Sequence, residues 1–359
     1  MSSEFGKNIK CTIFGQSHSE AMGVVIDGLP PGEIVDENRI REFMARRAPG
    51  RTPWSTSRKE ADLPRIVSGV FMGKTCGAPL TAIIENTNTR SKDYEKTKDI
   101  PRPSHADYPA HIRYNGFEDY RGGGHFSGRL TAPLCFAGAL CKDILAKRGI
   151  FIGSHIAAIG GIQDQPFDPV SVTREELEFP AKMEFPVNNT NVGDTMIAKI
   201  MLAKEKQDSV GGIIEGCAIG VPPGLGDPMF DGLENALAKA VFGIPAVRGV
   251  EFGMGFEAAS KLGSQHNDAY EYDGDILKTK TNRHGGIIGG ISTGMPIIMR
   301  IAVKPTPSIA RPQQSVNFHD RTSQELVIEG RHDPCIVPRA VPVLESVMAI
   351  TILDYLMEE

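Results

Sequence analysis

The chain alternates short apolar runs with turns rich in glycine and proline, and two of those runs end alike. VVIDGLPPG (24–32) and CAIGVPPG (217–224) each read as an apolar strand entering a Gly-x-Pro-Pro-Gly turn, where proline withdraws a backbone donor and ends the pairing. Behind the first, DENRIREFMARRAPG (36–50) puts Ile40, Phe43 and Met44 on one helical face, with Asp36 as N-cap and Pro49-Gly50 as the stop. DGLENALAKAVFG (231–243) follows the second. Farther on, SGVFMGKTCGAPLTAII (68–84) lines up with GGIIGGISTGMPIIMRI (285–301) through shared glycines, a Gly-x-Pro step and a final apolar strand. Order and spacing agree within each stretch, so residues 22–90 and 215–305 are expected to be duplicated β–α–β–β units. Chance similarity of glycine-rich strands is the competing account.

Between the copies, TAPLCFAGALCKDILAKRG (131–149) predicts an amphipathic helix, FIGSHIAAIG a strand, and a longer helix is expected near 193–206. VPVLESVMAITILDYLM, within 338–357, reads as a core helix closing the chain. Residues 86–128 are polar and without period, and loops of that length in a compact protein are usually functional or disordered.

With 359 residues, 40% of them apolar, the chain can bury a substantial core as one large or two ordinary domains. A net charge of −5 and a pI near 6.0 call for neither nucleic acid nor an anionic membrane, so any bound anion is expected to be small. Cys11, Cys76, Cys135, Cys141, Cys217 and Cys335 have no paired CxxC spacing, which speaks against a disulfide framework or a metal site and suits a reducing compartment. MSSEFGKNIKCTIFG lacks the apolar stretch of a signal peptide, and the apolar segment near the end carries Glu345 and Asp354. A soluble cytoplasmic protein is therefore expected.

Candidate chemistry starts at DYRGGGHFSGRLTA (119–132), where three glycines separate Arg121 from His125, and Ser127 and Arg129 follow. Glycines open the main chain to close approach, and the side chains supply donors suited to an anion ahead of a helix; a surface turn is the alternative. SGVFMGKT is no phosphate loop, because Ser68 stands where the first glycine of GxxxxGKS/T is required; a strand–turn–strand repeat accounts for it better. The other pieces are dispersed: FGQSHSEAMG (14–23), RRAPGR (46–51), RPSHADY (102–108), KPTPS (304–308) and GRHDPC (330–335). In the duplicated alignment Gln16-Ser17-His18 faces Asp208-Ser209-Val210, so the scaffold itself does not require His18. His105 could be held by Asp107 or stand exposed, and Arg331 with Asp333 could be a local ion pair. Two histidines, carboxylates and many arginines on loops that a duplicated scaffold could converge suit acid–base chemistry on a phosphorylated or carboxylated metabolite.

These motifs, in this order and over nearly the whole chain, resemble the chorismate synthase family. FGQSHSEAMG resembles its FGESHG start, RPSHADY its RPGHADY, GGIIGGISTG its GGIxGGxSxG and GRHDPC its RxDPC signature. The resemblance implies a single α+β domain over 1–359, a helical layer sandwiched between antiparallel sheets, assembled as a homotetramer. It implies an anti-1,4-elimination of phosphate from 5-enolpyruvylshikimate 3-phosphate, giving chorismate, with reduced FMN and no net redox change. Carried over residue by residue, His18 would protonate the departing phosphate, His105 would be the acid at the flavin N1/O2 edge, and Asp333 would stand by flavin N5 and assist proton removal. Arg102, Arg129 and Arg331, with Arg47 and Arg51, would clamp the substrate anions. Ser127, Ala246, Gly289, Lys304 and Ser308, with Arg129, Arg331 and Asp333, would line the flavin. No second domain is available to reduce it, so an external flavin reductase is implied.

The glycine-rich segment departs from the family pattern RGGGRxSxRET: His125, Phe126 and Leu130 stand in altered slots, while Ser127, Arg129 and Thr131 remain. The RRRxG loop likewise reads Arg46-Arg47-Ala48-Pro49-Gly50-Arg51. Arg47, Arg51 and His125 are the nearest replacements for the missing cations. On this reading the glycines let flavin and substrate phosphate lie against main chain. A flavin-dependent oxidoreductase is disfavoured by the lack of a GxGxxG fingerprint, and a non-catalytic binding protein would have no need of His18.

Overall fold

Strands β1 (Glu4–Phe5), β2 (Lys10–Gly15) and β3 (Ala21–Asp27) open the chain, and the helix expected behind Asp36 follows as α1 (Glu37–Arg47). The Asp36 carboxylate accepts from the amides of Asn38 and Arg39, satisfying two of the donors a helix start leaves unpaired. The structure is a computed structural model and describes residues 3–50, 52–56, 60–87, 98–328 and 333–358. Next come β4 (Pro64–Ser68), the hairpin β5 (Val70–Phe71) and β6 (Lys74–Thr75), and β7 (Leu80–Glu85). SGVFMGKT is thus a strand–turn–strand, as its spacing predicts. After α2 (Asp107–Arg113) and α3 (Thr131–Lys147) the chain forms β8 (Phe151–Ile159), β9 (Ile162–Gln163), α4 (Arg174–Glu178) and α5 (Thr190–Glu205). Strand β10 (Gly212–Ile219), helix α6 (Leu233–Val241) and strand β11 (Val247–Phe252) lead into α7 (Gly263–His266) and the hairpin β12 (Tyr270–Asp273) and β13 (Ile276–Thr279). The hairpin β14 (Ile287–Ile288) and β15 (Ile291–Ser292) precedes β16 (Ile297–Val303). The hairpin β17 (Gln313–Asn317) and β18 (Thr322–Leu326) precedes α8 (Val337–Leu356).

Two five-stranded sheets result, one in the order β1-β2-β3-β7-β4 and the other, read in the same sense, β9-β8-β10-β16-β11. Every pairing in both is antiparallel. Element by element the second half repeats the first: β2, β3, α1, β4, the β5–β6 hairpin, β7 and α3 answer to β8, β10, α6, β11, the β14–β15 hairpin, β16 and α8. The repeat is longer than 22–90 and 215–305, since each copy begins one strand earlier and ends with a long helix.

Helix α3 packs on the first sheet and α8 on the second, α3 lies against α8, α1 lies against both of these helices, and α6 lies against α8 and β11. This middle layer corrects one expectation. Helix α3 is not amphipathic: 13 of its 17 residues are buried, because it has a sheet on one side and a helix on the other. Helix α8 is a core helix, as expected, with 17 of 20 residues buried. The two cross closely at Gly138, where a Cβ would lie 2.1 Å from that of Ser346. Among the described residues no helix is long and apolar enough to cross a membrane, and no cluster of side chains has metal-binding geometry.

Candidate active site

Residues Arg121–Phe126 form a run of tight turns in which Gly122, Gly123 and Gly124 have φ of 60°, 85° and 53°. These left-handed values suit glycine alone when taken in succession. The space each lacks a side chain for is filled from within the protein. His18 and Ser17 crowd Gly122, Cε1 of His105 would be 3.0 Å from a Cβ on Gly123, and the carbonyl oxygen of Asp119 2.2 Å from one on Gly124. The glycines therefore seat the two histidines against main chain, and Gly122 also lines the adjoining cleft.

A cleft of about 710 Å³ opens beside this loop. It gathers His18, His105 and Asp333, the arginines Arg47, Arg102 and Arg129, and Ser127, Ala246, Lys304 and Ser308 from segments far apart in sequence. Gly289 is not brought there. It sits in the β14–β15 turn, next to Gly290, whose main chain packs on Asp227 and Gly232 at the N-terminal end of α6, whereas Ala246 follows the C-terminal end of that helix. Arg51 and Arg331 lie outside the described residues.

Charge in the cleft is heavily paired. Asp62, its side chain fully buried, accepts from Arg47 Nη1 at 2.7 Å and from Arg129 Nη1, and Arg129 Nε lies 2.7 Å from Glu60 Oε2. Burial alone would raise the Asp62 carboxyl, but the two guanidiniums hold it below the usual range. Arg47 also donates through Nε to Thr131 Oγ1 at 3.0 Å and through Nη2 to the Gly128 carbonyl at 2.8 Å. Asp333 accepts from Arg339 Nη1 and, at 2.8 Å, from the Thr56 amide.

A second knot orients His105. Its Nδ1 is 2.6 Å from Asp107 Oδ1 and 3.0 Å from Arg102 Nη2; the carboxylate is the nearer partner and accepts, so Nδ1 carries the proton and Nε2 is left for the cleft. Arg102 grips Asp107 through Nε at 2.8 Å, Nη2 at 2.7 Å and its amide at 2.9 Å. Burial would raise the Asp107 carboxyl, yet these donors hold it well below the carboxylate range. Lys304 donates to the Ser104 carbonyl, and burial with the Arg248 charge lowers its pKa.

Two suggested cations are already engaged. His125 Nδ1 donates to the Gly15 carbonyl at 2.7 Å while Nε2 meets Ser3 Oγ at 2.7 Å, so the ring anchors main chain. Arg121 pairs with both oxygens of Asp119, at 2.8 and 2.9 Å. Sequence reasoning missed Asp62, Arg248 and Arg339. Asp62 sits in an unremarked stretch before β4, and Arg339 is hidden in the first turn of an apolar helix.

The cleft suits a flat, partly polar cofactor beside an anion. Phe126, Phe242, Ile336 and Val343 provide apolar wall, and among the described residues Ser17 Oγ and Thr306 Oγ1 are buried at the cleft with no hydrogen-bond partner in the protein. Such groups are rarely left so unless a ligand completes them. Flavin therefore fits the residues present.

Fold and cleft together are those of an enzyme whose candidate site is lined by histidines, arginines and carboxylates. The family model described as chorismate synthase matches residues 9–357, and the chain belongs to that family, whose members are lyases of the shikimate pathway. It is 48% identical over 353 residues to the chorismate synthase of Pyrococcus abyssi, covering 98% of this chain and 97% of that one. The Korarchaeum cryptofilum chorismate synthase is 44% identical over 353 residues, with 98% and 97% covered. A solved structure titled "Crystal Structure of Chorismate Synthase" superposes with a TM-score of 0.76 at 29% identity, covering 99% of this chain and 93% of that one.

Proposed function

We propose that this cleft binds 5-enolpyruvylshikimate 3-phosphate beside reduced FMN and eliminates phosphate in the anti-1,4 sense to give chorismate, with no net redox change. The observation that carries the reading is the convergence of His18, His105 and Asp333 with Arg47, Arg102 and Arg129 in one cleft. The arginines neutralise the substrate's phosphate and carboxylates, for which planar guanidinium forks are suited. His18, buried against Gly122, gives its proton to the phosphate as the allylic C–O bond breaks, and Asp333 assists removal of the ring proton. His105 serves as the acid toward the cofactor in its imidazolium form, with Nδ1–H held by Asp107 and Nε2–H left to donate into the cleft. Ser127, Ala246, Lys304 and Ser308 would hold FMN, with Thr306 completing its polar contacts. Reduced flavin, when bound, supplies transient electron density that weakens the allylic bond. Assembly as a homotetramer and reduction by an external flavin reductase belong to the same reading.

The test is anaerobic phosphate release from 5-enolpyruvylshikimate 3-phosphate. Release is expected with reduced FMN alone, without oxidation of NAD(P)H in proportion to product. Stoichiometric hydride consumption would turn the reading toward an oxidoreductase, and binding without release would turn it toward a non-catalytic protein.

A further inference from the structure

We infer that Asp62 is a positioning residue that locks Arg47 and Arg129 side by side as two fixed guanidinium forks for the substrate anions, an inference resting on the reading that those arginines bind substrate. The two guanidiniums come from separate elements of the first copy, Arg47 from the end of α1 and Arg129 from the turn before α3. Both are buried, at 3% and 6% exposure, so their mutual repulsion is poorly screened. Asp62 gives one carboxylate oxygen to each, Oδ2 to Arg47 and Oδ1 to Arg129. Its backbone has φ +50°, a conformation that Asp and Asn tolerate better than other side-chain-bearing residues, so the carboxylate is aimed by a local turn and not by a long flexible stem. Arg47 is held from its other edge by Thr131 and Gly128, and Arg129 from its other edge by Glu60. Asp62 is the group that joins the two arginines. It lies beneath them and does not line the cleft, so it acts on substrate through them.

The closing experiment uses Asp62→Asn, which keeps the shape and the left-handed turn but removes the charge. Substrate affinity is measured by calorimetry on the full chain with oxidised FMN, and KM and kcat are measured anaerobically with reduced FMN. Asp62→Asn is expected to raise the substrate dissociation constant and KM about tenfold or more, with a smaller change in kcat. In an Arg47→Ala/Arg129→Ala background it should change affinity no further, and it should raise thermal stability there because it removes a buried carboxylate left without partners. Unchanged affinity in Asp62→Asn, alongside a large loss in the arginine variant, would overturn the inference and leave the reading intact. Normal binding by the arginine variant would overturn the reading itself. An equal loss from Asp62→Asn in both backgrounds would also overturn the inference, since the effect would not pass through the arginines. Should Asp62→Asn alone not fold, the comparison of triple with double variant still decides: a triple variant less stable than the double overturns it.

Discussion

The imidazole of His18 occupies the space that a side chain on Gly122 would need: a Cβ built there would lie 2.3 Å from Cε1 and 2.4 Å from Nδ1 of the ring. Gly122→Ala should therefore act on His18 without touching it in sequence. The substitution also puts alanine at φ +60°, a cost of about 1–2 kcal/mol. Turnover is expected to fall about 10²–10⁴-fold, the range of a positioned general acid, with flavin still bound and the fold intact. Adding His18→Ala should lower it little further. Wild-type turnover in Gly122→Ala would mean that His18 is not the acid.

Asp107 serves as acceptor for His105 Nδ1 and for three donors of Arg102. An amide has a single acceptor oxygen, so in Asp107→Asn either Arg102 loses a partner or His105 takes the other tautomer. We expect kcat to drop at least tenfold, as general-acid placement fails, with substrate affinity less affected. Nitrogen NMR of labelled histidine should show a loss of protonation at Nδ1 of His105. A normal kcat with an altered tautomer would separate His105 from the chemistry.

The repeated strand-and-helix units were legible because glycine and proline mark their turns in both copies, and the sheet orders follow from that repetition. The middle layer was less so: Thr131, Cys135 and Ser346 look like polar positions in α3 and α8, and only the two-sided packing shows that they are interior. Within the site, His18, His105 and the arginines stood out by residue type beside turns. Asp62 and Arg339 did not, since an aspartate before a strand and an arginine within an apolar helix look like ordinary solvated charges until the fold turns their partners, Arg47 and Asp333, onto them. That the glycine run also seats His18 and His105 was hidden in the sequence. What fills the space beside a glycine is long-range information.

Two buried networks set opposite limbs of the pH–stability curve. Burial would raise the Glu345 carboxyl, but Arg46 and Lys142 hold it at about 2, below its ordinary 4.5, so its contribution is present above 4.5 and is lost as pH falls toward 2. Burial would lower His155, but Asp164 at 3.1 Å and Glu215 at 3.2 Å raise it above 6.5, so its contribution is present below 6.5 and is lost as pH rises through the raised value. Urea unfolding across pH should show the acid slope reduced in Glu345→Gln and the alkaline slope reduced in His155→Gln. Glu345→Gln should also cost about 3–5 kcal/mol near neutrality, because two cations lose their buried partner. Unchanged slopes would show that other groups govern the curve.

His125 stands where the family pattern carries an arginine, and its geometry argues for a structural role. Both ring nitrogens are committed, one to the Gly15 carbonyl and the other to Ser3 Oγ, so an anion could recruit the ring only by releasing the strand end it holds. Arg129, by contrast, lines the cleft with a guanidinium anchored by Asp62 and Glu60. Arg129→Ala is therefore expected to weaken substrate binding about 10–100-fold, the worth of a charge-assisted hydrogen bond lost. His125→Ala should change the dissociation constant less than about threefold while lowering stability by about 1 kcal/mol for the lost hydrogen bonds. Titrations between about pH 5 and pH 8 decide the matter, because that window spans the charging of an ordinary imidazole. A small and flat effect of His125→Ala assigns the residue to the scaffold, whereas a defect that grows only on the acid side would show the imidazolium reaching the anion after all.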